Sequence, residues 1–347
     1  MRLLPIVIAL ALCLCACRAS SDVDRTMQGY SGDVPGASVL VLRDGVALVR
    51  KSYGMAELET RRAATPATDY RLASVTKQFT AAAILLLRRE GKLGLDDSIR
   101  HWLPSLPAED QTITLRQLLT HTSGLIDYED LIPADRTTQL DDNDVLNLLS
   151  AEHRLYFAPG SAYRYSNSGY VLLGLAIERA SGQPLPAFLK QRIFEPLGMN
   201  HTLLYQRGAG PEVAERAFGY SQEHGAWVRT DQDLTSATRG DGGVYSSIDD
   251  LAKWDAALYD NRLLDAKSRE EAFTPHTPTD DPNVRYGYGW RITGDTVWHS
   301  GESIGFRNVI VRWPKQHVTV IVLSNRNEPE PYRMALEIAG PYLRSAP

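Results

Sequence analysis

Ser74 and Lys77 are the pair of residues whose types and spacing most directly suggest covalent chemistry. Among the serines of the chain, Ser74 is the one that has a lysine three places on, in Ser74-Val75-Thr76-Lys77. Positions i and i+3 of a helix share a face, so the Lys77 amine can reach the Ser74 hydroxyl. Serine becomes a nucleophile once a base removes its proton, and burial favours the neutral, basic form of an amine. The tetrad therefore predicts a serine nucleophile with a lysine base; the alternative is an N-cap serine followed by a solvated lysine.

Two further groups of residues could complete such a site. Tyr165-Ser166-Asn167 lies on a loop before a predicted helix, where a phenol and an amide can be presented together. His299-Ser300-Gly301 lies on a predicted strand, where glycine permits a substrate backbone to approach the strand edge. A second Tyr-x-Asn, at positions 259–261, is predicted to end a helix instead.

The elements that must position these residues follow from hydrophobic periodicity and turn signals. A β-hairpin is predicted at 38–53 around Asp44-Gly45, and a long helix at 76–90. Shorter helices are predicted at 115–120, 144–151, 169–180, 186–194 and 248–259, strands at 286–292, 296–299, 306–313 and 318–324, and a last helix at 331–343. Strands at both ends with helices between them predict an α/β fold: an antiparallel sheet formed from both ends of the chain, flanked by helices, with an inserted all-helical lobe.

The three motifs, in this order, resemble those of the serine β-lactamase and penicillin-binding-protein superfamily. The Tyr-x-Asn form resembles the class C β-lactamase branch with its D-Ala-D-Ala carboxypeptidase, D-amino-acid peptidase and esterase relatives. The stretches 118–125 (LLTHTSGL) and 242–247 (GGVYSS) are also similar to the family, so the likeness extends from about Ser38 to the C-terminus. The fold that this resemblance implies agrees with the pattern-based map.

The resemblance also implies a role for each residue. Ser74 would be acylated, and Lys77 and Tyr165 would share the proton transfers. Asn167 would hold the substrate amide and orient Lys77. Substrate-binding and oxyanion functions would fall to the strand motif and the residue after it, with the backbone N–H groups of Ser74 and Glu302 as the oxyanion hole: His299, Ser300, Gly301, Glu302.

His299 stands where β-lactamases usually carry lysine. A neutral imidazole anchors a carboxylate less well than an ammonium group, so we expect poor β-lactam hydrolysis and a preference for substrates without a critical carboxylate. Apolar contacts would then come from Tyr288, Trp290 and Trp298, or an arginine would supply the missing charge, with Arg291 and Arg307 flanking the motif.

Other candidate sites are less favoured. Ser303 lies in a Gly-x-Ser-x-Gly, but the acid and histidine that this nucleophile elbow requires do not follow it in the right order. His121 is expected to be structural, and the acidic run 141–144 is expected to cap a helix. No metal-ligand spacing, phosphate-binding loop or cofactor motif is present, so we expect neither metal nor cofactor.

The first residues indicate export. Residues 1–16 are predicted to be a signal peptide of the lipoprotein type, because Leu14-Cys15-Ala16-Cys17 resembles a lipobox. Cys17 would then be lipidated, 17–35 would form the lipidated N-terminus and a polar tether, and 36–347 the hydrolase domain, of which 93–239 is mainly helical. A plain secretory signal or an uncleaved anchor are the alternatives. The resemblance to bacterial lipoproteins implies the outer rather than the inner membrane, because Arg18, and not an aspartate, follows the cysteine.

Composition bounds the function. The 347 residues are 43% apolar and 23% charged with a net charge of −5, which excludes a disordered chain and gives no indication of a nucleic-acid partner. All three cysteines precede residue 18, so the rest of the chain offers no disulfide framework and no thiol nucleophile. The sequence predicts an exported, periplasmic serine hydrolase that acts on an ester or amide of a small molecule or short peptide. A small-ester or D-amino-acyl hydrolase leads; the alternatives are a D,D-carboxypeptidase-like enzyme, a true β-lactamase, or a non-catalytic envelope protein.

Overall fold

A central antiparallel sheet is built from the two ends of the chain, as the sequence predicts. The structure is a computed structural model that describes residues 22–344, so the predicted signal peptide and Cys17 lie outside the described residues. In this range the large sheet has eight strands in the order β10-β11-β12-β13-β14-β15-β1-β2. The strands of the described chain are β1 Ala37–Arg43, β2 Val46–Tyr53, β3 Met55–Glu57, β4 Arg62–Ala63, β5 Tyr70–Arg71, β6 Leu203–Leu204, β7 Tyr220–Glu223, β8 Ala226–Arg229, β9 Val244–Ser246, β10 Thr277–Pro278, β11 Arg285–Tyr286, β12 Arg291–Thr293, β13 Thr296–Ser303, β14 Phe306–Trp313 and β15 Val318–Ser324.

Helices cover both faces of this sheet. A short helix is described at 22–26 (α1). The others are α2 Lys77–Arg89, α3 Ile99–Trp102, α4 Leu115–Leu119, α5 Asp142–Ser150, α6 Asn167–Ser181, α7 Leu185–Leu189, α8 Glu195–Leu197, α9 Ile248–Ala257, α10 Ala266–Phe273 and α11 Pro331–Arg344. Among residues 22–344, no helix combines the length and apolar composition needed to cross a bilayer.

The central strands bury alternate residues in two separate cores. In β1, Leu40 and Leu42 pack with α2 and the helical lobe, whereas Val39 and Val41 face the opposite core. That second core is completed by residues 23–30 and by α11. Burial on both faces explains why these strands read as nearly continuous apolar runs rather than alternating ones.

The tether predicted for residues 17–35 is wrong from residue 22 onward. Val23, Met27 and Tyr30 are at most 1% exposed and belong to the core on the outer face of the sheet. Val23 and Met27 lie one helical turn apart and share one buried face. The polar residues between them obscure this pattern in the sequence.

The strand predicted at 286–292 is also wrong, because the chain turns within it. β11 and β12 pair as a hairpin, and Gly289 between them has a left-handed φ of +75°. A Cβ at Gly289 would lie 2.7 Å from the Lys77 carbonyl oxygen. Glycine therefore lets this turn lie directly against the first residue of α2, beside the predicted nucleophile.

Candidate active site

Ser74 lies on a turn immediately before α2. Residues Ala73–Thr76 form a 3-10 turn, and the α-helix begins at Lys77. The Lys77 side chain is fully buried, and its Nζ lies 3.0 Å from Ser74 Oγ. Nζ also donates to Asn167 Oδ1 at 2.8 Å and to the Asp241 carbonyl oxygen at 3.0 Å. Nζ is therefore held by three oxygen atoms, of which Ser74 Oγ is the one hydroxyl.

Asn167 is held by the start of α6. It is the first residue of that helix, which Ser166 caps through a bond accepted from the Gly169 N–H. The Asp127 carboxylate accepts the Asn167 backbone N–H at 2.8 Å, and a negative charge at a helix N-terminus is stabilising. The Asn167 side-chain amide is therefore fixed, with Oδ1 on Lys77 and Nδ2 donating to Glu129 Oε1 at 2.9 Å.

Tyr165 places its ring near the Lys77 amine. Lys77 Nζ is 4.9 Å from the centre of the Tyr165 ring. The His121 ring packs against the Tyr165 ring with centres 4.4 Å apart. The Arg291 guanidinium lies 5.4 Å from the same ring. Spacing alone had placed Ser74 beside Lys77, but chain folding brings Tyr165 and Asn167 to them from about 90 residues away.

β13 passes against the Ser74 turn. A Cβ at Gly301 would lie 2.0 Å from the Leu72 carbonyl oxygen and 3.2 Å from the Ser74 nitrogen. The glycine is needed here because the chain's own turn approaches the strand, which differs from the predicted approach of a substrate. Glu302 follows it, with a 70% exposed side chain paired to Arg307 at 2.6 Å.

His299, which the sequence predicts to bind substrate, is buried beside Tyr165, with ring centres 6.3 Å apart. It is 1% exposed, and both ring nitrogens are bonded within the protein. Its Nδ1 lies 2.6 Å from the Ser300 carbonyl oxygen and must donate to it, so Nε2 accepts from the Tyr286 hydroxyl at 2.9 Å. Burial, with the charges of Arg291 and Lys77, lowers the pKa of His299 well below its ordinary value. His299 is therefore a neutral, buried residue of β13, and the Ser300 carbonyl oxygen accepts its Nδ1–H.

A polar cavity of about 290 Å³ opens beside Ser74. Besides Ser74 its lining includes Arg71, Tyr128, Glu129, Asn167, Asp233, Asp241, Glu302, Ser303 and Arg307. The predicted apolar contacts are wrong: Tyr288 and Trp290 are buried in the core with α2, and Trp298 stacks on Tyr332 on the outer face of the sheet. Of the two arginines proposed to replace the lysine, Arg307 lines the cavity and Arg291 lies at Tyr165.

Two of the alternatives weighed from sequence have clear structural outcomes. Ser303 Oγ is buried and has no hydrogen-bond partner within residues 22–344, so no base activates it. Asp141 caps α5 in a capping box with Asp144, which confirms the predicted role of the acidic run.

Sequence and structure comparisons identify the family. Residues 23–340 match the family model described as Beta-lactamase. The chain belongs to this β-lactamase family and is a serine hydrolase of the β-lactamase and penicillin-binding-protein type, as the three motifs predict.

The named relatives include penicillin-binding proteins and an amidase. The chain is 35% identical to "Penicillin-binding protein 4*" of Bacillus subtilis over 324 residues, which cover 88% of this chain and 71% of that protein. It is 30% identical to "Protein flp" of Staphylococcus aureus over 309 residues, 85% of this chain and 60% of that protein. The octameric penicillin-binding protein homologue from Pyrococcus abyssi superposes with a TM-score of 0.81 at 28% identity, covering 92% of this chain and 75% of that one. D-amino acid amidase from Ochrobactrum anthropi SV3 superposes with a TM-score of 0.76 at 27% identity, covering 93% and 97%.

Sequence reasoning missed Glu129 and expected His121 to be structural, but both contact motif residues. Glu129 bonds to Asn167, and His121 packs against Tyr165. His121 lies within the family-like stretch LLTHTSGL, which was a usable signal. Glu129 carried none, because an isolated glutamate 38 positions before Asn167 resembles any surface acid.

Proposed function

We propose that this protein hydrolyses amides or esters of amino-acyl groups with a free amine, of the D-amino-acyl class, through an acyl-enzyme on Ser74. In this proposal the Lys77 lone pair takes the Ser74 proton as Oγ attacks the carbonyl carbon. Tyr165 shares the proton transfers and passes a proton to the leaving group. The backbone N–H groups of Ser74 and Glu302 stabilise the oxyanion, a contribution typically worth about 10²–10³ in rate. Water then attacks the acyl-enzyme and releases the acid.

The proposed substrate class depends on the Glu129 carboxylate. Its Oε1 accepts from Asn167 Nδ2, and the carboxylate lines the cavity that contains Ser74. No lysine or arginine pairs with it among residues 22–344 within ion-pair distance. Burial and the Asp127 charge raise the pKa of Glu129, whereas the Asn167 hydrogen bond and the Lys77 charge lower it. When ionised, the Glu129 carboxylate is an anion beside Asn167, and it favours an ammonium group next to the scissile carbonyl, as an α-amino group would be. The same anion disfavours the carboxylate of β-lactams, and the structural likeness to a D-amino acid amidase supports this class.

A comparison of matched substrates tests this proposal. We expect D-amino-acid p-nitroanilides to be cleaved faster than their N-acetyl derivatives, p-nitrophenyl butyrate and nitrocefin. Loss of a charge-assisted contact costs about 1.5–3 kcal/mol, so Glu129→Gln should lower kcat/KM for the free-amine substrate roughly 10- to 150-fold and leave the N-acetyl substrate nearly unchanged. Asp130→Asn, at an exposed neighbouring carboxylate, is the control.

The outcomes separate chemistry from specificity. Ser74→Ala should lower kcat by about 10³ or more on every substrate, and mass spectrometry of a trapped adduct should find the acyl group on Ser74. An adduct on Ser303, or no adduct with any probe, would refute the acyl-enzyme. Equal rates for free-amine and N-acetyl substrates would refute the substrate class alone.

Arg291 favours a second candidate, a D,D-carboxypeptidase-like activity. Its guanidinium lies 5.4 Å from the Tyr165 ring, and it has no carboxylate partner within the described chain. The guanidinium lies over the Tyr165 and Trp298 rings, and in this second candidate it would bind the terminal carboxylate of a D-Ala-D-Ala peptide. Faster release of D-alanine from such peptides than cleavage of D-aminoacyl anilides, abolished by Arg291→Gln, would favour this candidate.

We further propose that the protein is exported to the periplasm and anchored to the outer membrane through a lipid on Cys17. Cys17→Ser should move the protein from the membrane fraction to the soluble fraction or block its processing. Two or more lipid chains are needed for stable attachment. Metabolic labelling with a fatty acid should mark the protein that carries Cys17 and should not mark Cys17→Ser. Labelling that persists in Cys17→Ser would refute this anchor.

A further inference from the structure

His121 occupies a backbone position where glycine would be expected. It follows the last turn of α4 with a left-handed φ of +59°. The Thr122 N–H donates to the Gln117 carbonyl and the His121 N–H to the Leu118 carbonyl, which is the Schellman arrangement that glycine usually completes. A histidine in this conformation is strained relative to glycine, so its side chain is retained for another reason.

That reason is visible in the contacts of His121 with the loop that carries Tyr165. The His121 carbonyl oxygen accepts the Arg164 N–H at 3.0 Å, and His121 Nδ1 accepts the Ser166 N–H at 3.1 Å. The peptide N–H groups on either side of Tyr165 are thus both held by one residue. The His121 ring packs on the Tyr165 ring as well, with centres 4.4 Å apart.

The hydrogen bond from the Ser166 N–H to His121 Nδ1 requires a neutral imidazole. Because Nδ1 accepts a hydrogen bond, the proton of the neutral ring lies on Nε2, which has no hydrogen-bond partner within residues 22–344. Burial and the charges of Lys77 and Arg291 lower the pKa of His121 well below its ordinary value. The ring is also enclosed by Tyr163, Tyr170 and Tyr286, so Nδ1 stays an acceptor at neutral pH.

We propose that His121 is a positioning residue for catalysis. It fixes the Tyr165 phenol against Lys77 by accepting hydrogen bonds from the backbone N–H groups on both sides of Tyr165 and by packing on its ring. This proposal rests on the acyl-enzyme function proposed above and adds a residue that touches neither the substrate nor the reacting atoms.

Two substitutions that both tolerate left-handed backbone isolate the acceptor. In His121→Asn the amide oxygen can replace Nδ1 and accept the Ser166 N–H, whereas His121→Gly offers no side-chain acceptor. We expect the glycine variant to lose about 10²-fold in kcat, the loss that a misplacement of about 1 Å produces, with KM changed by less than about threefold. We expect the asparagine variant to recover most of that loss. His224→Gly, at an exposed hairpin turn with φ +49°, is the control for removing a left-handed histidine.

A double-mutant cycle provides a readout that a purely structural role would not give. If His121 acts through Tyr165, adding Tyr165→Phe to His121→Gly should lower kcat much less than Tyr165→Phe does alone. Additive losses, or equal losses in the asparagine and glycine variants that follow their melting temperatures, would overturn the proposal. His121→Ala, which also lacks the acceptor, replaces the glycine variant if that variant does not fold. A wild-type enzyme that is never acylated on Ser74 would refute the proposed function instead, so the two failures are distinguishable.

Discussion

At the scale of single residues, the buried groups around Ser74 are defined by the bonds they already make. Lys77 is fully buried with three oxygen partners, of which Ser74 Oγ is the one that can react. His299 is buried with both nitrogens used by Tyr286 and Ser300. Two residues of the same motif set therefore differ in their partners: Lys77 contacts the Ser74 hydroxyl, and His299 bonds to Tyr286 and Ser300.

His299→Lys should destabilise the protein without creating a carboxylate anchor. An ammonium group at this 1% exposed position would lie near Lys77 and Arg291 and could not accept the Tyr286 hydroxyl proton. An uncompensated buried charge costs about 3–5 kcal/mol, which chemical denaturation would measure. His299→Gln is the matched control, because its amide can donate to Ser300 and accept from Tyr286. A lysine variant with unchanged stability and faster nitrocefin turnover would contradict this interpretation.

Sequence patterns predicted the contact between Ser74 and Lys77 but not the residues that surround it. Ser74 and Lys77 are three positions apart, so local helix geometry alone predicts their contact. Glu129 and His121 reach Asn167 and Tyr165 across 38 and 44 positions, and side-chain identity at such separation carries no local signal. For the same reason the burial of His299 could not be predicted, because it depends on Tyr286 in the neighbouring hairpin.

At the scale of secondary-structure elements, the site depends on how closely β13 lies against the Ser74 turn. Gly301 leaves no room for a side chain between the strand and the Leu72 carbonyl oxygen. This contact sets the distance between the Ser74 and Glu302 backbone N–H groups, which the proposed oxyanion hole requires.

Gly301→Ala should therefore damage both stability and activity. Its Cβ would lie 2.0 Å from the Leu72 carbonyl oxygen, and relief of such overpacking typically costs about 1–3 kcal/mol. Displacing the Ser74 turn by even 1 Å should lower kcat by about 10²-fold. Gly29→Ala, whose Cβ would come no closer than 3.6 Å to another atom, should change neither property. Steady-state kinetics with denaturation measurements check both, and a fully active Gly301→Ala enzyme would contradict the tight contact.

The elements themselves were largely predictable, and the errors have physical causes. The β1–β2 hairpin is predicted from the Asp44-Gly45 pair between two apolar runs. The structure confirms it, because both residues adopt left-handed φ values, of 51° and 75°, as a type I′ turn requires. The strand predicted at 286–292 failed because aromatic residues with high strand propensity surround the glycine turn at 287–289. There the packing against α2, which sequence does not display, decides the conformation.

At the scale of the whole molecule, buried carboxyl groups lie at the junction of the sheet and the helical lobe. Asp69 lies just before β5, is 1% exposed, and its backbone bonds to residues 215 and 217 of the predicted lobe. Asp250 on α9 is also buried nearby. Burial, and then the Asp250 charge, raise the pKa of Asp69 to about 8.

This raised pKa predicts how Asp69 changes stability with pH. The folded state keeps the Asp69 proton up to about pH 8, whereas an unfolded aspartate loses it near pH 4. The stability associated with the protonated carboxyl is therefore complete below about pH 4 and is lost as pH rises through 8. Asp69→Asn removes this titration, so the variant should be more stable than the unmodified protein at pH 9 and nearly equal to it at pH 4. The gain at pH 9 should be on the order of 1 kcal/mol or more, because a tenfold change in a proton-binding constant between the folded and unfolded states corresponds to about 1.4 kcal/mol.

Denaturation curves at pH 4, 7 and 9 measure the difference directly. Asp44→Asn is the matched control, because the Asp44 side chain is 71% exposed and should give no difference that depends on pH. Equal or lower stability of Asp69→Asn than of the unmodified protein at pH 9 would contradict the raised pKa of Asp69.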